Sequence, residues 1–255
     1  MRRESVFKDS VSTGVGMKIL VLADIHANWP ALSAVTQAET FDECLVLGDL
    51  VEYGGQPSPC IDWVREHATL TIRGNHDHGL VQQVPSPPGG SSFRRLAGET
   101  RVLNYKQLRP SQLKFLSRLP VTATTRVGEQ SFYLVHATPR DPMDEYLPPD
   151  PVLWTQRLQA VETDFACVGH THIPMHLRLR EGLQLINPGS VGQPRDGDPR
   201  AAYAVIEDGV VSLRRIPYDI DAAVAGLVAS GLSPELLEVA EGVLRRGGKP
   251  TSTAG

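Results

Sequence analysis

The chain reads as an α/β protein, and three observations carry that reading. Short continuous apolar runs alternate with amphipathic stretches along most of its length. Each run is bounded by turn residues, as buried parallel strands are. And several runs stop abruptly at histidine, aspartate or asparagine, the pattern of strands whose C-terminal ends meet at one functional edge.

Taken in order, Met17–Ala23 (MKILVLA) forms the first strand and ends at Asp24-Ile25-His26. Asn28 is placed to cap a helix over Pro30–Glu39, with the proline in its first turn. Phe41–Leu47 is a second buried strand, ending at Gly48-Asp49. A helix over Pro59–His67 and a strand over Ala68–Ile72 follow, the latter ending in Arg73-Gly74-Asn75-His76-Asp77. Strand, helix, strand, helix, strand at this pace is α/β alternation. A Pro/Gly-rich loop at Val84–Ser92 precedes helices over Phe93–Lys106 and Pro110–Ser117, and the segment 84–118 is long enough to cap a site. Strands at Val121–Val127 and Ser131–Val135 follow, the second closed by His136. A helix over Pro151–Ala160 leads to a strand at Asp164–Val168, closed by Gly169-His170-Thr171-His172. Short strands at His176–Arg180, Leu183–Ile186, Ala201–Glu207 and Val210–Ile216 come next, the last two joined by the hairpin signal Asp208-Gly209. Helices over Asp219–Ser230 and Pro234–Arg246 close the chain, as a dimer face or as a cover for the sheet edge. Residues 1–16 and 247–255 are polar and aperiodic and read as flexible tails around a main domain at 17–218 and a helical extension at 219–246.

Composition excludes several classes. With 41% hydrophobic and 21% charged residues, the 255-residue chain has apolar material for a core, so disorder is not its dominant state. It holds no apolar run of membrane-spanning length, and no apolar segment follows the basic Arg2-Arg3 start, so neither a membrane partner nor secretion is expected. The net charge of −4 gives no support to binding long nucleic acid. Three scattered cysteines, Cys44, Cys60 and Cys167, form no disulfide framework or zinc ribbon and fit a reducing cytoplasm.

The chemistry lies at the strand ends. Five of the eight histidines sit there, His26, His76, His136, His170 and His172, beside Asp24, Asp49 and Asn75. Asp24, His26, Asp49, Asn75, His136, His170 and His172 offer carboxylate, amide and imidazole but no thiolate, a set suited to Mn²⁺, Fe²⁺, Zn²⁺ or Mg²⁺. Seven such ligands exceed the needs of one tetrahedral ion and match two, spaced by a bridging carboxylate at about 3.5–4 Å. The competing reading of each residue alone, a strand-end turn or cap, loses force as the pieces accumulate.

The ordered series Asp24-Ile25-His26, Gly48-Asp49, Gly74-Asn75-His76-Asp77, His136 and Gly169-His170-Thr171-His172 resembles the calcineurin-like metallophosphoesterase superfamily over Met17–Pro217. Asn187-Pro188-Gly189-Ser190-Val191-Gly192 is similar to the loop of its compact bacterial and archaeal phosphodiesterase branch. The resemblance implies a two-sheet β-sandwich flanked by helices, in four αββα layers, with two metals at one edge. Mn²⁺ is its first choice, ahead of Fe, Zn, Ni, Mg or Co. It implies one ion on Asp24, His26, Asp49 and His172, and another on Asp49, Asn75, His136 and His170, with Asp49 bridging. It implies His76 as a phosphate-binding or proton-donating residue outside the ligand set.

The chemistry of such a centre is hydrolysis of a phosphodiester or phosphomonoester by a metal-bridging hydroxide, with a nucleotide-type small molecule as the favoured substrate. Arg73 is the candidate clamp for a phosphate oxygen, and Glu52 the candidate to orient His76. The Ser/Thr phosphatases of the superfamily carry GDxxDRG and GNHE, whereas here Gly48–Gly54 reads GDLVEYG and the later motif GNHD. Tyr53 thus replaces an arginine, while Arg73 makes a phosphatase-like RGNH. Phosphoproteins and dinucleoside polyphosphates are alternative substrates. A non-catalytic module like a retromer subunit would lack a ligand or the acid histidine, and none is missing here. Arg195 and Asp196, just past the loop, read as a salt-bridged turn.

Overall fold

The computed structural model describes residues 17–85 and 90–248. Its core is two five-stranded mixed sheets. In the first, β1 (Lys18–Leu22), β2 (Glu43–Val46) and β3 (Leu70–Thr71) run parallel, and β9 (Ala201–Glu207) and β10 (Val210–Ile216) continue the sheet antiparallel on the far side of β1. In the second, β5 (Gln130–Val135), β6 (Phe165–Cys167) and β8 (Gln184–Asn187) run parallel. There β4 (Thr122–Val127) and β7 (Met175–Arg178) form the antiparallel edges. The C-termini of β1, β2 and β3 in one sheet, and of β5, β6 and β8 in the other, therefore point to one rim.

The alternation within β1 explains the layering. Ile19 and Val21 face the second sheet and share a core with Leu45, Phe132, Phe165 and Ile206. Leu20 and Leu22 face outward, onto a layer that includes α1 (Trp29–Ala38), α2 (Pro57–His67) and α5 (Pro110–Arg118). A strand buried on both faces must be apolar at consecutive positions, hence the unbroken run in the sequence. α6 (Pro151–Arg157) covers the outer face of the second sheet through Trp154. Asn28 caps α1 by accepting from the Ala31 N–H, as its position predicts.

Three features go beyond the sequence reading. A short helix, α3 (Asn75–Val81), occupies what reads as a polar loop; seven residues with few apolar positions carry no helical period. Asp77, three positions past Gly74, caps it by accepting from the Gly74 N–H at 3.0 Å. The segment 84–118 is tied to the domain: in α4 (Ser92–Gln107), Thr100 and Asn104 are buried and accept from the N–H groups of Tyr53 and Glu52. The closing helices α7 (Ile220–Ser230) and α8 (Pro234–Arg246) pack on α1 and α4, helices rather than a sheet edge, with Leu227, Leu236 and Ala240. Gly247, assigned to the tail, is the left-handed C-cap of α8; the expected tails at 1–16 and 249–255, and residues 86–89 of the loop, lie outside the described residues.

Candidate metal centre

The rim of the first sheet supplies Asp24 and His26 after β1, Asp49 after β2, and Asn75 and His76 at the start of α3. These loops pack backbone against backbone. A Cβ on Gly74 would lie 2.1 Å from Asp49 Oδ1, and one on Gly48 would lie 2.4 Å from the Gly74 nitrogen, so both positions require glycine. Asp77 ties the loops together, its carboxylate accepting from the Asp49 and Leu50 N–H groups at 2.8 and 2.9 Å. The rim of the second sheet supplies His136 after β5 and His170 and His172 after β6. The loop after β8 holds the two rims together: Ser190 donates to the Asp24 carbonyl, and Asn187 donates to that of Gly169, both at 2.7 Å.

Three imidazoles are oriented in the same way. Nδ1 of His26 donates to Val51 O at 2.9 Å, that of His136 to Leu47 O at 2.7 Å, and that of His172 to Gln193 O at 2.6 Å. A carbonyl only accepts, so each Nδ1 carries the proton and each Nε2 presents a lone pair inward. There the acceptors crowd. Nε2 of His26 and of His172 lie 3.2 Å apart, and His136 Nε2 lies 3.1 Å from Asp49 Oδ2 and 3.2 Å from Asn75 Oδ1. Asp49 Oδ2 and His170 Nε2 are buried without a hydrogen-bond partner. Two groups of donor atoms result, each within 4.8 Å internally: Asp24, His26, Asp49 and His172, and Asp49, His136 and His170, with Asp49 common to both. Lone pairs converging on a shared, unpartnered carboxylate oxygen fit a pair of divalent cations, because only a positive charge makes the crowding favourable.

The electrostatics agree. Burial, opposed by His136, lifts the Asp24 carboxyl to about 7, and burial holds His26 and His172 well below their ordinary values. Burial also lowers His136, but the Asp49 carboxylate overrides it and raises that imidazole to about 10. The field that draws a proton there would equally draw a metal ion.

His76 stands beside this cluster. Its Nδ1 donates to Glu52 Oε2 at 2.6 Å, and its Nε2 is 4.0 Å from Asp49 Oδ2. Burial lowers its pKa, yet the Asp49 and Glu52 carboxylates outweigh that and leave it raised. Glu52 is itself held by Arg101 of α4, whose Nε donates at 2.6 Å. The 49-residue separation between Arg101 and Glu52 hides this pairing from the sequence.

Arg73, beside Gly74, donates from Nη2 to the Ser117 carbonyl in α5 at 2.5 Å, while its Nε is buried without a hydrogen-bond partner. Arg195 is a correction. Asp196 pairs with Arg215, and Arg195 donates instead to Gln193 Oε1 at 2.8 Å and lies over the rings of Tyr53 and Phe93 at 5.5 and 5.4 Å. Its position directly after the loop at 187–192 was the available signal. Tyr53 and Tyr146 were also missed: their rings lie 4.9 Å from His26 and 4.2 Å from His170.

Two facing sheets with a rim of buried carboxylates and imidazoles define a hydrolase-type metal protein. Residues 17–209 match the calcineurin-like phosphoesterase superfamily domain, and the chain belongs to that superfamily. It is similar to a metallophosphoesterase from Sphaerobacter thermophilus, with 32% identity and a TM-score of 0.73 over 91% of this chain and 99% of that one. An uncharacterized protein of Methanocaldococcus jannaschii is 34% identical over 86% of this chain and 95% of its own length. A hypothetical protein from Pyrococcus horikoshii, 21% identical, shares the fold with a TM-score of 0.75 over 92% of this chain and all of its own. The chain is thus a metallophosphoesterase with a buried Asp/His metal-binding cluster, and no helix among its described residues is long and apolar enough to cross a membrane.

Proposed function

We propose that this metallophosphoesterase hydrolyses a phosphodiester or phosphomonoester of a small, nucleotide-type molecule, with two divalent ions, Mn²⁺ first among them. Asp24, His26, Asp49 and His172 hold one ion; Asp49, Asn75, His136 and His170 hold the other. When bound, the ions supply the nucleophile by acidifying a water and neutralise the phosphate.

The chain's own residues do the rest. The Val51, Leu47 and Gln193 carbonyls hold Nδ1 of three imidazoles, so Nε2 is the nitrogen that each turns toward the centre. His76 keeps its proton on Nε2 toward the centre and passes it to the departing oxygen of the ester, becoming neutral with its Nδ1–H still bonded to Glu52. Arg101 holds Glu52 in place through its Nε hydrogen bond. The observation that carries the reading is the pair of unpartnered buried atoms, Asp49 Oδ2 and His170 Nε2, one at the junction of the two donor groups and one in the second.

The test compares bis-p-nitrophenyl phosphate with p-nitrophenyl phosphate, on protein stripped of metal and then reloaded with Mn²⁺, with Asp49→Ala as the control. Manganese-dependent turnover that Asp49→Ala loses together with bound metal is the expected result, and the faster ester tells a diesterase from a monoesterase. Two bound ions and no turnover of either ester count against the enzyme reading.

A further inference from the structure

Beside His170 the surface opens into a cleft of about 420 Å³ that the proposed chemistry does not use. Tyr146, Leu147, Pro148, Ile173 and Met175 line it, and its size is that of a small-molecule site. The lining is almost wholly apolar, yet it sits against the most polar part of the molecule. Ile173 follows the metal-rim residue His172 directly and is 45% exposed; Tyr146 is 60% exposed. Two large apolar side chains left open at a polar rim are not explained by packing.

Tyr146 joins this cleft to the metal centre. One face of its ring lies 4.2 Å from His170, and its hydroxyl accepts from Arg195 Nη1 at 3.4 Å. Among the described residues, Arg195 is held without an acidic partner. The acids that follow it, Asp196 and Asp198, are taken by Arg215 and Arg200. Its own contacts are the Gln193 amide oxygen, the Tyr146 hydroxyl and the faces of Tyr53 and Phe93. Its backbone N–H donates to the carbonyl of the rim residue His172 at 3.4 Å. A guanidinium so placed offers its remaining N–H groups to an anion bound at the centre.

We infer that Arg195 and the Tyr146–Ile173 cleft form one subsite for the group a phosphodiester keeps after hydrolysis: a flat aromatic group of nucleobase kind lies in the cleft, and Arg195 holds an oxygen of its phosphate. The inference rests on the proposed phosphoesterase reading and selects the diester within it. The retained group is assigned to the cleft because His76, which protonates the departing oxygen, belongs to the first-sheet rim, whereas the cleft opens from the second. Tyr146 supplies a ring face for stacking, the proline and Ile173 supply apolar walls, and an alkyl ester would leave most of the cleft to water.

Two esters with the same leaving group isolate the effect: the p-nitrophenyl ester of thymidine 5′-monophosphate and methyl p-nitrophenyl phosphate. On the Mn²⁺-loaded protein, kcat/KM is expected to favour the thymidine ester by about tenfold or more, the range that apolar contacts in a pocket supply. Ile173→Glu and Tyr146→Ala bring the ratio of the two values toward one, and Arg195→Gln lowers both values without restoring the ratio. Val210→Glu, at an exposed position on β10 outside the cleft, keeps the wild-type ratio. Equal rates on the two esters in the wild type, or a preference that survives Ile173→Glu and Tyr146→Ala, overturn the subsite while leaving the phosphoesterase reading intact. Turnover of neither ester overturns the phosphoesterase reading instead, and calorimetric titration of the full chain with thymidine 5′-monophosphate then decides the subsite. Binding that Ile173→Glu abolishes supports it, and no binding overturns it.

Discussion

Two buried carboxylate sites in this molecule solve opposite problems. Glu39, at the end of α1, has every oxygen matched: Oε2 accepts from Lys18 at 2.8 Å, and Oε1 accepts from Tyr203 at 2.9 Å and Arg214 at 2.6 Å. Asp49, at the end of β2, has one oxygen matched by the His76 N–H and the other left without a partner among lone pairs. The backbone differs in the same sense. Of the ten non-glycine residues with left-handed φ among the described residues, eight lie on the metal rim: Asp24, His26, Ala27, Asp49, Glu52, Tyr53, His170 and His172. Each such conformation costs about 1–2 kcal/mol. A folded chain tolerates unmatched charge and strain together only where something other than stability selects for them, and the contrast separates a structural carboxylate from a functional one.

The largest effect expected from that contrast is at Asp49. Asp49→Asn keeps an oxygen to accept from the His76 N–H but removes the shared charge. Activity should fall by about 10³-fold or more, comparable to loss of a principal electrostatic group. Bound metal, measured by elemental analysis, should fall with it. Full metal content and turnover in Asp49→Asn would show that Asp49 is structural like Glu39, and would dissolve the comparison.

The next effect lies one shell out. His76→Ala should lower kcat by about 10²–10⁴-fold on esters with poor leaving groups and much less on p-nitrophenyl esters, the signature of a lost general acid. Metal content should stay at the wild-type level; a vacated metal position would place His76 among the ligands instead. Glu52→Gln should follow the same pattern more weakly, since an amide still accepts from Nδ1 but no longer raises the His76 pKa.

Metal removal is the third measure. If the rim is the unfinished part of the fold, loading Mn²⁺ at a hundredfold excess over its dissociation constant should stabilise the wild type by about 2.7 kcal/mol. Asp49→Asn should gain little. An unchanged wild-type melting curve on loading contradicts a rim that a cation completes.

The contrast also explains what could be seen in the sequence. Asp24, Asp49, His136 and His170 each follow an apolar run, and in a parallel sheet the strand end sets where the next residue goes; the structure accordingly gathers them. The direction of a longer side chain is decided by its neighbours. Arg73 sits beside Gly74 in sequence but turns to Ser117, and Arg195 turns from Asp196 to the rings of Tyr53 and Phe93. α3 escaped notice because its stability comes from Asp77 and from packing on α4 and α5, not from a period of its own. The Arg101–Glu52 pair joins residues 49 apart, a distance no local pattern spans.

The smallest effect belongs to Glu39, and its sign follows from its partners. Burial raises its pKa, but the hydrogen bonds from Lys18, Arg214 and Tyr203 together lower it below the ordinary glutamate value. A carboxyl whose folded pKa is depressed stabilises the fold above its unfolded pKa, and that contribution is lost as pH falls through the folded value. Glu39→Gln should therefore destabilise the protein at pH 7 by about 1–2 kcal/mol, the worth of charge-assisted hydrogen bonds. The difference from wild type should shrink as the pH drops below the unfolded glutamate pKa, about 4.3. Urea unfolding of both proteins at pH 7 and again in the acid range measures it. Turnover and metal content should match the wild type at pH 7, because none of the Glu39 partners contributes to either donor group. A Glu39→Gln protein with full stability and impaired turnover would reverse the assignment of the two carboxylates.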